Sequence, residues 1–98
     1  MNIVKKPNGT VLEMALDGRL DTTTAPAFEE ELKKGLDGVT ELVLDLENLE
    51  YISSAGLRVL LMAKRILGGG DAIKVKNVNE IVQEVFDVTG FSDLLTII

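Results

Sequence analysis

The order of apolar patterns in this 98-residue chain predicts a small α/β domain, a mixed sheet of about five short strands carrying three main helices. Three observations carry that reading. Residues 3–16 alternate around an Asn-Gly pair, the mark of a hairpin. The rest switches between short apolar runs and stretches with apolar residues three and four apart. Glycines stand where each helical stretch should stop. A hairpin followed by alternating helices and strands implies parallel strands joined by right-handed crossovers.

Ile3–Lys6 and Val11–Leu16 flank Pro7-Asn8-Gly9-Thr10, and Leu12, Met14 and Leu16 should face the core. Gly18-Arg19-Leu20-Asp21 then breaks the strand pattern. A helix should begin at Thr24 or Ala25, with Pro26 in its first turn, where a missing N–H costs nothing. Its buried stripe would be Ala25, Phe28, Leu32 and Leu36. Glu29, Glu30 and Glu31 would form an early acidic turn. Leu42–Leu46 reads as an interior parallel strand, apolar on both faces apart from Asp45. The central helix should run from about Ser54 to Leu67 and stop at Gly68-Gly69-Gly70. Ala72–Val75 is a further strand, and Asn77 or Asn79 can cap a third helix carrying Ile81, Val82, Val85, Phe86 and Val88. Thr89-Gly90 closes it before a final strand at Leu95–Ile98.

One domain is expected over residues 1–98, with no repeat or linker. Cysteine and histidine are absent, which excludes disulfides, most zinc sites and any mechanism with a His base or Cys nucleophile. A net charge of −6 argues against nucleic acid as a partner. No apolar run approaches a membrane span and Met1–Lys5 is no signal peptide, so the expectation is a cytoplasmic protein with no membrane partner.

Candidate chemistry is sparse. Asp17, Asp21, Asp45 and Glu47 sit near strand ends, where a pair could hold magnesium, but solvated turns and caps are by far the better account of them. A small nucleotide-binding domain using the Asp21 loop is the enzymatic alternative; no phosphate-loop spacing supports it, and no cofactor is called for. Thr22-Thr23-Thr24 reads as a capping loop. Ser53-Ser54 stands where a strand gives way to a helix, so a serine there can cap the helix or accept a phosphate. At 100° per residue, Gly56, Val59, Leu60, Ala63, Ile66 and Leu67 share the buried side of that helix. Arg58 and Arg65 lie opposite, framing Leu61 and Met62. Those two are either boundary residues or the apolar part of a docking face for another protein.

Leu49-Glu50-Tyr51-Ile52-Ser53-Ser54-Ala55-Gly56-Leu57 resembles the signature turn of the STAS domain family, in particular its anti-sigma-factor antagonists. Gly18-Arg19-Leu20-Asp21 resembles the family's Gly-x-Leu-Asp. Val85–Phe91 resembles its Phe-x-x-Ser/Thr-Gly closing motif. These matches fall in order along nearly the whole chain. The resemblance implies a partner that is a serine-kinase anti-sigma factor, whose capture frees a sigma factor. It implies phosphorylation at Ser54, with Ser53 as the alternative acceptor, and reversal by a serine phosphatase. Asp21, Thr22, Thr23, Ser53, Arg58, Leu61, Met62 and Arg65 would meet the partner. A STAS scaffold or transport-associated subunit without a phosphoswitch is the other reading. The chain departs from the family pattern at Ser53, where an acid is usual, and at Arg58, where a small residue is common.

Overall fold

A computed structural model describes residues 1–98. The hairpin pairs β1 (Asn2–Asn8) with β2 (Val11–Leu20) in antiparallel register, Asn8 opposite Val11. Three parallel strands follow, β3 (Glu41–Ile52), β4 (Ile73–Lys76) and β5 (Thr96–Ile97), so the sheet order is β1-β2-β3-β4-β5. The crossovers are α1 (Ala25–Gly35), α2 (Ser54–Ile66) and α3 (Glu80–Thr89), the last followed by a single 3-10 turn at Phe91–Asp93. Sequential parallel strands with right-handed crossovers leave all three helices on one face. A single apolar cluster joins Leu12, Met14, Leu16, Leu42, Leu44, Ile73 and Val75 of the sheet to Phe28, Leu32, Leu60, Val82 and Phe86 of the helices.

The other face of the sheet corrects the expectation for β3. Val43 and Asp45 are half-buried, not enclosed, because no layer covers that side. Ion pairs cross it instead: Lys76 to Glu13 at 3.2 Å and Lys74 to Glu41 at 2.6 Å. Both central strands also run further than their apolar cores suggest. β2 continues through Gly18 to Leu20 by shifting register between Ala15 and Asp17 and again between Gly18 and Arg19. Gly18, at φ 110°, takes a conformation that suits such an irregularity and that other residues avoid.

In α1, Glu29, Glu30 and Glu31 fall after the first turn, not within it, so they serve as ion-pair partners instead of offsetting the helix dipole. Glu29 pairs with Lys33 and Glu30 with Lys34 one turn on, and Glu31 reaches Lys5 of β1. In α3 only Val82 and Phe86 are buried; Ile81 and Val88 face solvent because the sheet lies beneath just one stripe. Asn79, not Asn77, caps this helix: its Oδ1 accepts from the Val82 N–H at 2.8 Å and its Nδ2 donates to the Leu49 carbonyl at 2.7 Å.

Candidate functional site

The C-terminal ends of β2 and β3 lie side by side, Leu20 opposite Ile52. Each strand is followed by a helix there, β2 after a four-residue loop and β3 almost at once, so the Asp21–Thr24 loop and the Ser53-Ser54 turn meet at one rim of the sheet. The Ser53 N–H donates to the Leu20 carbonyl at 2.9 Å, joining the two turns. Arg19 stacks over the Tyr51 ring, 4.8 Å from its centre, and approaches Asp21 at 3.8 Å, a second tie between them.

Asp21 organises its own loop. Its Oδ1 accepts from the Thr23 hydroxyl at 2.7 Å and from the Thr23 N–H at 3.0 Å. The Thr24 hydroxyl accepts from the Asp21 N–H and donates to the Arg19 carbonyl. The bonds the Asp21 carboxyl accepts, from the Thr23 hydroxyl first and then from the Thr23 N–H, hold it below the usual aspartate range. Thr24 stands at the N-cap of α1 without a side-chain capping bond; its hydroxyl, like that of Thr23, ties the loop together around Asp21 instead. Thr22 and Thr23 are exposed.

The serines divide sharply. Ser53 occupies the N-cap of α2 in extended backbone, yet its side chain makes no capping bond and its Oγ is buried without a partner. Ser54 is the first residue of the helix and is exposed. Neither hydroxyl caps the helix, contrary to expectation. The first N–H groups of α2 therefore have no side-chain acceptor, and the positive end of the helix dipole remains available to an anion.

Along α2, Gly56, Leu57, Val59, Leu60 and Ala63 are buried and Leu67 is half-buried. Leu57 joins the buried set, whereas Ile66, expected against the sheet, is 52% exposed because it lies at the free last turn. Arg58 and Arg65 are exposed as expected. Leu61 and Met62 are half-buried, and Met62 packs against the core, so they are boundary residues more than a projecting patch. A shallow open cleft of about 220 Å³ separates the N-terminal parts of α1 and α2, with Thr22, Pro26 and Glu29 on one wall and Ala55 and Arg58 on the other. Pro26, Glu29 and Ala55 were missed by sequence reasoning; their only signal is position in the first two turns of helices that follow adjacent strands.

Asp45 lies further back along β3. Asp45 accepts from the Asn77 side chain and the Glu47 N–H, chiefly the former lowering its pKa. No cluster of three or more metal-ligating side chains occurs in the chain. No helix is long and apolar enough to cross a membrane.

Residues 3–96 match a family model described as Mlab, STAS domain. The chain belongs to the STAS domain family. This STAS domain is 28% identical over 98 residues to the anti-sigma-B factor antagonist of Bacillus subtilis, covering 99% of this chain and 90% of the relative. It is 37% identical over 89 residues to BtrV of Bordetella bronchiseptica, a candidate anti-sigma factor antagonist by its name, covering 89% and 77%. Among solved structures, the anti-sigma factor antagonist SpoIIAA in its unphosphorylated form superposes with a TM-score of 0.84 at 18% identity, covering 99% of this chain and 88% of that one. An anti-sigma factor antagonist from Mycobacterium paratuberculosis gives 0.86 at 24% identity, covering 98% and 83%. The two superpositions show the shared fold.

Proposed function

We propose that this STAS domain is an anti-sigma factor antagonist that acts in the cytoplasm by binding, not by catalysis. It captures a serine-kinase anti-sigma factor, releases a sigma factor, and is switched off when that kinase phosphorylates Ser54; a serine phosphatase restores it. The names of its relatives support the general role. The observation that carries the switch is the contrast between neighbours, an exposed Ser54 beside a Ser53 whose oxygen is buried. A kinase can reach the first hydroxyl and not the second.

The physics of such a switch is local. A phosphate on Ser54 adds roughly 1.5–2 negative charges at a helix N-terminus, which the fold tolerates well. A partner seated over the Asp21–Thr23 loop, Arg58 and Arg65 would meet that charge with no complementary group of its own. Mismatches of this kind cost about 2–5 kcal/mol, a loss of roughly thirtyfold to several thousandfold in affinity.

The test is intact mass after incubation with the kinase-type anti-sigma factor of the same organism and ATP. One added phosphate, absent in Ser54→Ala and retained in Ser53→Ala, is the expected result. Ser54→Asp should bind that factor at least tenfold more weakly than wild type with a nearly unchanged melting temperature. Phosphate uptake by Ser54→Ala would overturn the assignment.

A further inference from the structure

Arg58 and Arg65 are the basic side chains that hold no carboxylate or carbonyl. Every lysine is engaged: Lys5 by Glu31, Lys6 and Lys76 by Glu13, Lys33 by Glu29, Lys34 by Glu30, Lys74 by Glu41, and Lys64 by the carbonyls of Gly70 and Leu94. Arg19 is shared between Asp21 and the Tyr51 ring. Of the two free arginines, Arg58 stands four residues after Ser54 on the same helix, and both are exposed. That spacing puts their side chains on one face, about 6 Å apart along the axis. An acid one turn before a base is the favourable order for such pairs. Arg65 lies roughly 16 Å further along from Ser54, out of reach.

We propose that a phosphate on Ser54 is clasped by Arg58, so that phosphorylation both adds charge and withdraws this arginine from the docking face. The proposal rests on the reading of Ser54 as the acceptor. A guanidinium presents a planar fork that matches two phosphate oxygens, which a lysine cannot do. The other charged groups named at this rim, Glu29, Asp21 and Arg19, already have partners. Glu29 of α1, on the far wall of the cleft, is held by Lys33 at 3.4 Å, and Asp21 is held by its threonine bonds and Arg19. The consequence is a switch with two parts. A partner acid that uses Arg58 in the unmodified protein loses it at the moment a repelling phosphate appears.

The experiment installs phosphoserine at position 54 during synthesis, without a kinase, in the wild-type chain and in Arg58→Gln. The second ionisation of the phosphate, ordinarily near pKa 6, is then followed by ³¹P NMR. In the wild-type chain it should lie about 0.3 unit or more below the Arg58→Gln value, roughly twofold in proton affinity. The gap should shrink in 1 M salt, and Arg58→Lys should fall between the two. Equal values in the two proteins, or a gap indifferent to salt, would overturn the clasp. A lowered pKa beside a kinase that ignores Ser54 would instead remove the proposed function and leave the clasp standing.

Discussion

Ser53 and Asn79 occupy the same position at the entry of α2 and α3, in the same extended backbone, with ψ of 175° and 170°. Only Asn79 uses its side chain, closing one bond to the helix and another to β3. Asn79→Ala should therefore cost about 1–2 kcal/mol, the usual range for a lost cap, while Ser53→Ala should cost under about 0.5 kcal/mol because no capping bond disappears. Urea unfolding of the two variants tests this; equal losses would mean that the Ser53 oxygen has a partner after all. The same contrast separates two serines that the residue pattern alone did not rank; the family resemblance, not the pattern, put Ser54 before Ser53. Two adjacent identical residues carry no local signal, and a rotation of about 100° per residue decides which one faces solvent.

The rigid seat of α2 is Gly56. A Cβ there would lie 2.6 Å from Leu20 Cγ and 2.9 Å from Ile52 Cγ1, and both neighbours are fully buried. Ala in place of Gly gains up to about 1 kcal/mol in a helix interior, but overpacking a closed core costs typically 1–3 kcal/mol. Gly56→Ala should thus be destabilising, read as a lower urea midpoint with an unchanged slope. Loss of partner binding should accompany it, because the carbons it displaces support the first turn bearing Ser54. The outer face of α2 has a different division of labour. Met62→Glu, attractive from the sequence as a docking probe, would disturb stability as well, since Met62 packs on the core. Arg65→Glu is the cleaner probe: Arg65 is exposed and unpaired, so its melting temperature should match wild type while affinity for the anti-sigma factor falls. A large drop in melting temperature would place Arg65 in a structural role.

In the molecule as a whole, charge and layers are arranged consistently. Helices cover one face of the sheet, and the other carries its own ion pairs, each worth at most about 1 kcal/mol. Asp21, Glu31, Asp45 and Asp87 all have carboxyls held below their ordinary pKa, by Thr23, Lys5, Asn77 and Ser92 respectively as the leading cause. The unfolded chain thus binds protons that the folded one refuses, and stability falls as pH drops through and below about 4. Above pH 5 the melting temperature should be nearly flat up to about pH 8, since the chain has no histidine. A transition near pH 6 in the unmodified protein would contradict this. The succession of strands and helices along the chain, the hairpin turn, the helix stops at Gly68–Gly70 and Gly90, and the buried stripe of α1 were legible because they depend on neighbours within four or five residues. The exposed flank of α3, the open face of β3 and the half-burial of Met62 were not, because each depends on what another element covers.

The chain alone, through its periodicities, caps and signature turn, determined a STAS-type α/β domain and named the serine pair as its point of interest. Tertiary structure decided which serine is presented and what stands beside it. The register of β2 on β3 carries the Asp21 loop to the start of α2 across some thirty residues of chain. No local pattern encodes that pairing, and only packing turns one hydroxyl inward and leaves its neighbour in water.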